Sequence, residues 1–366
     1  MTVFSLSKWA IKRIDKIRRS FLWKGSQEAK GGHCLVNWRR VQLPKRLGGL
    51  GIHDLTAFNR ALCLRWQWLQ WKDPTRPWSA LNILSTPTEV QLFRACTLIS
   101  LGNGQRASFW HDRWLNGQSP SQIAPDLYSL AWRKHQCVAT AMTNGIWKRG
   151  LRRMSTTDEI NQYVELWGML QQVQLNDQPD NIIWRFSANG TYSSSSAYQA
   201  QFTANFSDFD WDRLWKTRAE NKCKFFGWLL LQNKLWTNDR IINTGGQANA
   251  QRPLCCSASE TALHMLASCP YAQQVWSAFA STGIAPQQLP PNNYRRFKQW
   301  WTSMIGPAGN RSSQEREQTV VYIAWNIWKE RCRRVFDHKS LTISQLILLI
   351  RQDIQNWQTA HTTWEE

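Results

Sequence analysis

The chain has 366 residues, 42% of them hydrophobic, and carries 45 Lys and Arg against 25 Asp and Glu, a formal net charge of +20. That length and apolar fraction exclude a disordered chain and suit a globular protein of two or three domains. No apolar run approaches the roughly 20 residues that cross a bilayer, and the cationic surplus favours RNA, DNA or an acidic membrane face as partner.

Residues 1–50 hold twelve of the Lys and Arg with only Asp15 and Glu28 against them, half of the net charge. Over residues 6–22 a helical period sets Leu6, Ala10, Ile11, Ile14, Ile17, Phe21 and Leu22 on one side. Lys8, Lys12, Arg13, Lys16 and Arg19 fall on the other. Such a face is either a solvated helix surface or a track for a phosphate backbone. Arg39, Arg40, Lys45 and Arg46 continue the charge beyond the helix. Lys12, Arg13, Lys16, Arg19, Arg39, Arg40, Lys45 and Arg46 are therefore the candidate nucleic-acid contacts. Pro44, Gly48, Gly49 and Gly51 predict a tight turn, since the GGLG run lacks the Lys-Ser/Thr ending of a phosphate cradle. Asp54 or Thr56 then caps a helix carrying Leu62, Leu64, Trp66, Leu69 and Trp71.

Asn103-Gly104 predicts a hairpin turn, and His111 beside Asp112 on a strand would point to opposite faces, a poor catalytic dyad. Trp110 and Trp114 read as structural. Two helices are expected around 138–150 and 158–173. In IIWRFSANGTYSSSSAY (182–198) two β-prone runs flank Asn189-Gly190, a second hairpin signal, and serines 193–196 offer a helix N-cap. A helix with Phe226, Leu229, Leu230 and Leu235 on its apolar side follows. The Pro-rich stretch 284–293 reads as linker and 315–360 as a helical pair, with Glu330 and Arg334 a mildly stabilising i,i+4 couple.

Six of the nine cysteines stand alone (34, 63, 96, 137, 223, 332), and no secretory pattern opens the chain. Both observations point to a reducing compartment, nuclear or cytoplasmic. The other three fall in RPLCCSASETALHMLASCPY (252–271) together with His264. Zinc takes about four soft or imidazole ligands, commonly as two short-spaced pairs, and His264 with Cys269 forms one such pair. Glu260 reads as a helix cap or a partner for His264, not as a general base.

Taken in order, RSFLWKG (19–25), Trp38, PKRLGGLGI (44–52), NRALCLRW (59–66), LGNGQRASFWHDRWL (101–115), IIWRFSANGTYSSSSAY, LWKTRAENKCKFFGWLLLQNKLWTNDRI (214–241), the Cys/His cluster and WNIWKERCRRVF (325–336) form a series. It resembles the carboxy-terminal region of plant non-LTR (LINE-type) retrotransposon reverse transcriptases, zinc-binding domain included. The resemblance implies part of an RNA-directed DNA polymerase that grips RNA and DNA. It implies a mainly α fold with small β-hairpins (α+β), a multi-segment helical appendage with a degenerate Cys/His zinc-binding-like domain. The expected segments are a basic helical region at 1–117, a connector at 118–180, the zinc-binding-like domain at 181–283, a linker at 284–314 and a helical tail at 315–366.

Two departures matter. Polymerases of this class hold divalent metal on adjacent aspartates, and no Asp-Asp pair occurs in the chain, so no enzymatic activity is expected of it. The resemblance also implies a Cys-x-x-Cys pair ahead of His264, and Arg252 stands where its first cysteine belongs. Arginine cannot ligate a metal. Cys255, His264 and Cys269 remain, with Cys256 or a water as a substitute fourth ligand. Either zinc binds there weakly, or the segment folds on its aromatic core and the three are ordinary side chains. The expected function is a non-catalytic nucleic-acid-binding fragment; the alternative is a structural remnant of a decayed retroelement.

Overall fold

The structure, a computed structural model, describes residues 6–25, 34–77, 86–247, 254–255, 260–280, 296–309 and 311–362. In chain order these form α1 (Lys8–Lys24), α2 (Trp38–Val41), α3 (Leu55–Lys72), α4 (Pro87–Cys96) and β1 (Thr97–Ser100). Then come α5 (Pro120–Ile123), α6 (Pro125–Leu130), α7 (Val138–Met142), α8 (Ile146–Arg149), α9 (Thr157–Gln171) and β2 (Asn181–Trp184). The remainder is α10 (Ser194–Ala200), α11 (Trp211–Lys216), α12 (Asn221–Leu231), α13 (Asn238–Asn243), α14 (Pro270–Ala280), α15 (Phe297–Ile305), α16 (Arg311–Cys332) and α17 (Ile343–Thr362). The fold is mainly α, as expected, with a small antiparallel ribbon of β1 on β2. No helix among the described residues is long and apolar enough to cross a membrane. Two compact units form: one from the described parts of Met1–Leu22 and His53–Asn205, the other from those of Trp23–Gly25, 34–52 and Phe206–Glu366.

In the first unit α3 starts at Asp54, whose carboxylate accepts from the Thr56 and Ala57 N–H groups at 2.8 and 3.1 Å. Its Ala61 carbonyl accepts the Tyr192 hydroxyl, and Tyr192 packs edge-on against the fully buried Trp184. Ser193 caps α10 as expected, accepting from the Ser196 N–H at 3.1 Å. The two Asn-Gly pairs foreseen as hairpin turns do turn the chain, with Gly104 at φ 69° and Gly190 at φ 68°. Neither joins two neighbouring strands, however, because β1 and β2 pair with each other across the intervening sequence, Thr97 opposite Trp184 and Ser100 opposite Asn181. The pairing buries Ile99 with Ile182 and Trp184, whereas past Gly190 the chain enters the α10 cap at once.

The turn at Asn103-Gly104 serves Asp180 instead. One Asp180 oxygen accepts from the Gly102 and Gly104 N–H groups (2.8 and 2.9 Å), the other from Arg106 and Ala107 (2.9 and 3.1 Å). A Cβ at Gly102 would meet the Gln178 carbonyl at 2.0 Å, so only glycine lets the loop close. Burial raises the Asp180 pKa, but the four donors outweigh it and hold the carboxyl below the usual carboxylate range. Asp180→Ala is expected to cost at least about 3 kcal/mol by stranding these donors, measured by denaturant unfolding. A depressed folded pKa stabilises above the unfolded value near pH 4, so this contribution is lost as pH falls through the folded value. The variant's deficit should therefore shrink in acid.

Other expectations shift in detail. The helix foreseen at 138–150 is broken into α7 and α8 where Asn144 (φ 50°) and Gly145 (φ 63°) turn left-handed. His111 and Asp112 lie in a turn, not a strand. Asp112 accepts from the Ser108 N–H at 2.8 Å, while burial and then Arg94 push the His111 pKa down to about 4. Trp110 and Trp114 are buried, as their structural reading requires. Of the foreseen stripe, Leu6, Ala10, Ile11 and Leu22 are half-buried, but Ile14, Ile17 and Phe21 on α1 are exposed, Phe21 by 70%, so the helix is rotated from the orientation foreseen. The half-buried side is Ile11, Asp15, Arg18 and Leu22. Arg18 pairs with Asp15 at 2.9 Å and donates to the His53 carbonyl at 2.8 Å, so polar docking rather than the widest apolar arc sets the rotation.

In the second unit the glycine turn is a packing surface, in keeping with its reading as a tight turn. The Gly48 carbonyl accepts from Trp228 Nε1 at 2.9 Å and Gln232 Nε2 at 3.1 Å. A Cβ at Gly48 would sit 2.6 Å from the Trp211 indole, and one at Gly49 only 1.9 Å from the Leu43 carbonyl. Helix α12 is buried nearly all round, and so is the centre of α16. Helix α17 turns its apolar stripe inward, deepest at Leu346 and Ile350. Within the stretch 284–314, α15 buries Trp300, Trp301, Met304 and Ile305, while the Pro-rich residues 284–293 lie outside the described residues.

Candidate metal centre

Ahead of α14 the chain makes one wide turn, His264–Ser268, closed by the Cys269 N–H on the His264 carbonyl at 2.8 Å. In a regular α-helix residues five apart point about 140° away from each other. An i→i+5 turn swings the second back toward the first, and turns of this type recur at functional sites. His264 and Cys269 are thereby brought to one side. The Cys255 sulfur lies 3.1 Å from His264 Nε2, and the three ligand atoms all fall within 4.8 Å of one another.

Cys269 is buried, with Cys255 and His264 half-buried. Burial raises the Cys269 thiol pKa; the Ala272 and Tyr271 N–H groups at the start of α14 oppose that rise without cancelling it. Zinc at about 2.3 Å from sulfur and 2.1 Å from nitrogen fits a cluster of this span, so Cys255, His264 and Cys269 suit three corners of a tetrahedron. Arg252 and Cys256, the residues that bear on the fourth corner, lie outside the described residues. Every cysteine among the described residues is a free thiol.

What surrounds the centre was not legible in advance. Glu260 is buried and takes Arg331 in a two-pronged pair (3.0 and 2.9 Å), while its Oε2 also accepts from the Asn238 N–H at 3.0 Å. Glu260 therefore caps a distant helix, α13, while the local acceptor for the His264 N–H is the Thr261 hydroxyl. Glu330 is fully buried, which makes it far more than a mild surface couple. It accepts from Arg333, from Arg334 Nε at 2.8 Å and from the Leu341 N–H at 2.9 Å. Arg334 lies over the Tyr271 ring at 4.6 Å and reaches the Leu254 carbonyl at 3.4 Å, so this network steadies the residue next to Cys255. A hint was present in the sequence: Glu330 and Arg331 follow the apolar run VVYIAWNIW, where charges must be buried in pairs.

The basic candidates divide between the units. In the first, Lys12, Arg13 and Lys16 are exposed, while Arg19 is half-buried and its Nε donates to the Asp15 carbonyl at 3.3 Å. In the second, Arg39, Lys45 and Arg46 are exposed and Arg40 is half-buried; the Lys45 ammonium sits 5.2 Å from the Trp215 ring.

Residues 192–276, the stretch that holds the centre, match a family described as zinc-binding in reverse transcriptase. The reverse transcriptase zinc-binding region implied by the sequence resemblance is therefore present. The chain is also 24% identical, over 372 residues, to an Arabidopsis thaliana protein named, provisionally, as a ribonuclease H protein. The match covers 92% of this chain and 58% of that relative, so the chain spans under two thirds of its length. No solved structure matches the chain.

Proposed function

We propose that this chain is a nucleic-acid-binding, non-catalytic part of a non-LTR retrotransposon reverse transcriptase, acting in the nucleus or cytoplasm. The observation that carries the reading is a set of exposed cations, Lys12, Arg13, Lys16, Arg39, Lys45 and Arg46, in a chain with a matched reverse transcriptase zinc-binding region. Exposed cations of this kind release counterions from a phosphate backbone on binding. Zinc, when bound, supplies a cross-link between residue 255 and the 264–269 turn; Cys255, His264 and Cys269 would hold it. The absence of an Asp-Asp pair supports the non-catalytic part of the proposal.

The test is RNA and DNA binding by anisotropy across a salt series. Alanine at all six cations is expected to weaken binding at least about tenfold near 0.1 M salt and to flatten the salt slope by up to about four on single strands and about five on duplex DNA. A parent affinity indifferent to salt would refute the mechanism. Arg252 favours the second reading, a decayed remnant kept only as a fold. That reading gains if the parent binds RNA no better than a charge-matched control.

A further inference from the structure

The strongest uncommitted feature is a cationic face on the first unit, in a stretch whose sequence pattern is uninformative. From Leu127 to Thr157 no acid interrupts the chain, which carries Arg133, Lys134, Lys148, Arg149, Arg152 and Arg153. The fold brings these two basic runs together. Ala131 bridges Leu151, the Trp132 N–H donates to the Gly150 carbonyl at 3.0 Å, and the Arg152 N–H donates to the Leu130 carbonyl at 3.1 Å. Arg133 crosses Gly150 so closely that a Cβ there would lie 3.5 Å from its own.

Arg133, Arg149, Arg152 and Arg153 are exposed, and none of the six cations makes an ion pair among the described residues. Two neighbouring carboxylates are occupied locally: Glu159 accepts from the Ser155 and Thr156 N–H groups, and Asp126 from Gln162. Exposed aromatic surface is interleaved with the charge. Trp132 is 57% exposed with the Arg133 guanidinium 4.4 Å from its ring centre, and Trp167 is 40% exposed with Lys148 at 4.2 Å.

A duplex presents phosphates but keeps its base faces stacked inside, so an exposed indole gains nothing there. Unpaired bases offer a face to stack on, and cations alongside track their phosphates. We propose that this face binds single-stranded nucleic acid, with the four exposed arginines on phosphates and an unpaired base on Trp132. The proposal rests on the nucleic-acid reading above and adds a second site of defined strandedness.

The full chain is titrated with a labelled oligouridine, an oligothymidine of equal length and a matched RNA duplex, across a salt series. Trp132→Ala is expected to weaken oligouridine binding about five- to a hundredfold with the salt slope and duplex affinity unchanged, and Trp132→Phe to restore most of it. Alanine at Arg133, Arg149, Arg152 and Arg153 should flatten the single-strand salt slope by about three. Where that variant melts early, Arg149→Ala with Arg153→Ala replaces it, with about half the effect. The thymidine arm tells DNA from RNA. Oligouridine affinities within about twofold of the parent for both variants, or an equal loss on the duplex for Trp132→Ala, overturn the proposal. Binding abolished by the six substitutions in α1 and residues 39–46 but untouched here overturns this site alone; a parent that binds nothing overturns both.

Discussion

Replacing Arg252 by cysteine is expected to make the chain retain stoichiometric zinc through gel filtration and to raise its Tm by on the order of 10 °C in excess zinc. Three donors stand within 4.8 Å of one another, and the wide 264–268 turn brings His264 and Cys269 to one side. What the resemblance implies is missing is one soft donor, for which a permanently charged guanidinium is no substitute. Zinc held roughly a thousandfold above its Kd adds about 4 kcal/mol to the folded state, since the unfolded chain lacks the site. The chain as it stands should show substoichiometric zinc and a small shift. Cys269→Ser in the repaired chain should erase the gain. Equal zinc content with and without Arg252→Cys, by metal analysis, would show that a residue other than a cysteine at 252 completes the site.

Glu330→Ala should destabilise the chain by about 1–3 kcal/mol, because it leaves two half-buried guanidiniums and the Leu341 N–H without their shared acceptor. Arg333, Arg334 and the Leu341 N–H all lose their acceptor at once. The effect should reach the metal centre: Arg334 is the donor to the Leu254 carbonyl, one residue from Cys255. In the Arg252→Cys background, Glu330→Ala is accordingly expected to weaken zinc binding about 10–100-fold, the range for loss of a supporting contact behind a ligand. Glu330→Gln keeps an acceptor for Leu341 and should fall between. Equilibrium unfolding and zinc titration of the three chains read both effects; a loss below about 1 kcal/mol in Glu330→Ala would return the group to the status of a surface pair.

Several features could be read from residues alone because their causes are local. Asp54 and Ser193 cap the helices that follow them, since a short oxygen acceptor beside an apolar periodic run satisfies the first free N–H groups. The tail pair α16 and α17 follows from helical spacing. His264 and Cys269 were identifiable by residue type and interval and Cys255 through the family resemblance, and the structure brings the three donor atoms together. The wide turn that does so was not foreseen, because its i→i+5 closure leaves no mark on hydrophobic period.

Tertiary structure decided whatever depends on which segment arrives opposite. Thr97–Ser100 finds Asn181–Trp184, so the turns at Asn103-Gly104 and Asn189-Gly190 close loops instead of hairpins. Arg18 finds His53 and turns α1 away from its widest apolar arc. Arg331 finds Glu260, and Ala131 finds Leu151, joining two basic runs into one face. A cap or a helical period is determined within a few residues. The burial of a charge, the pairing of a strand and the sum of a charged patch are set by distant partners, and the free energy that selects them exists only once the chain has packed.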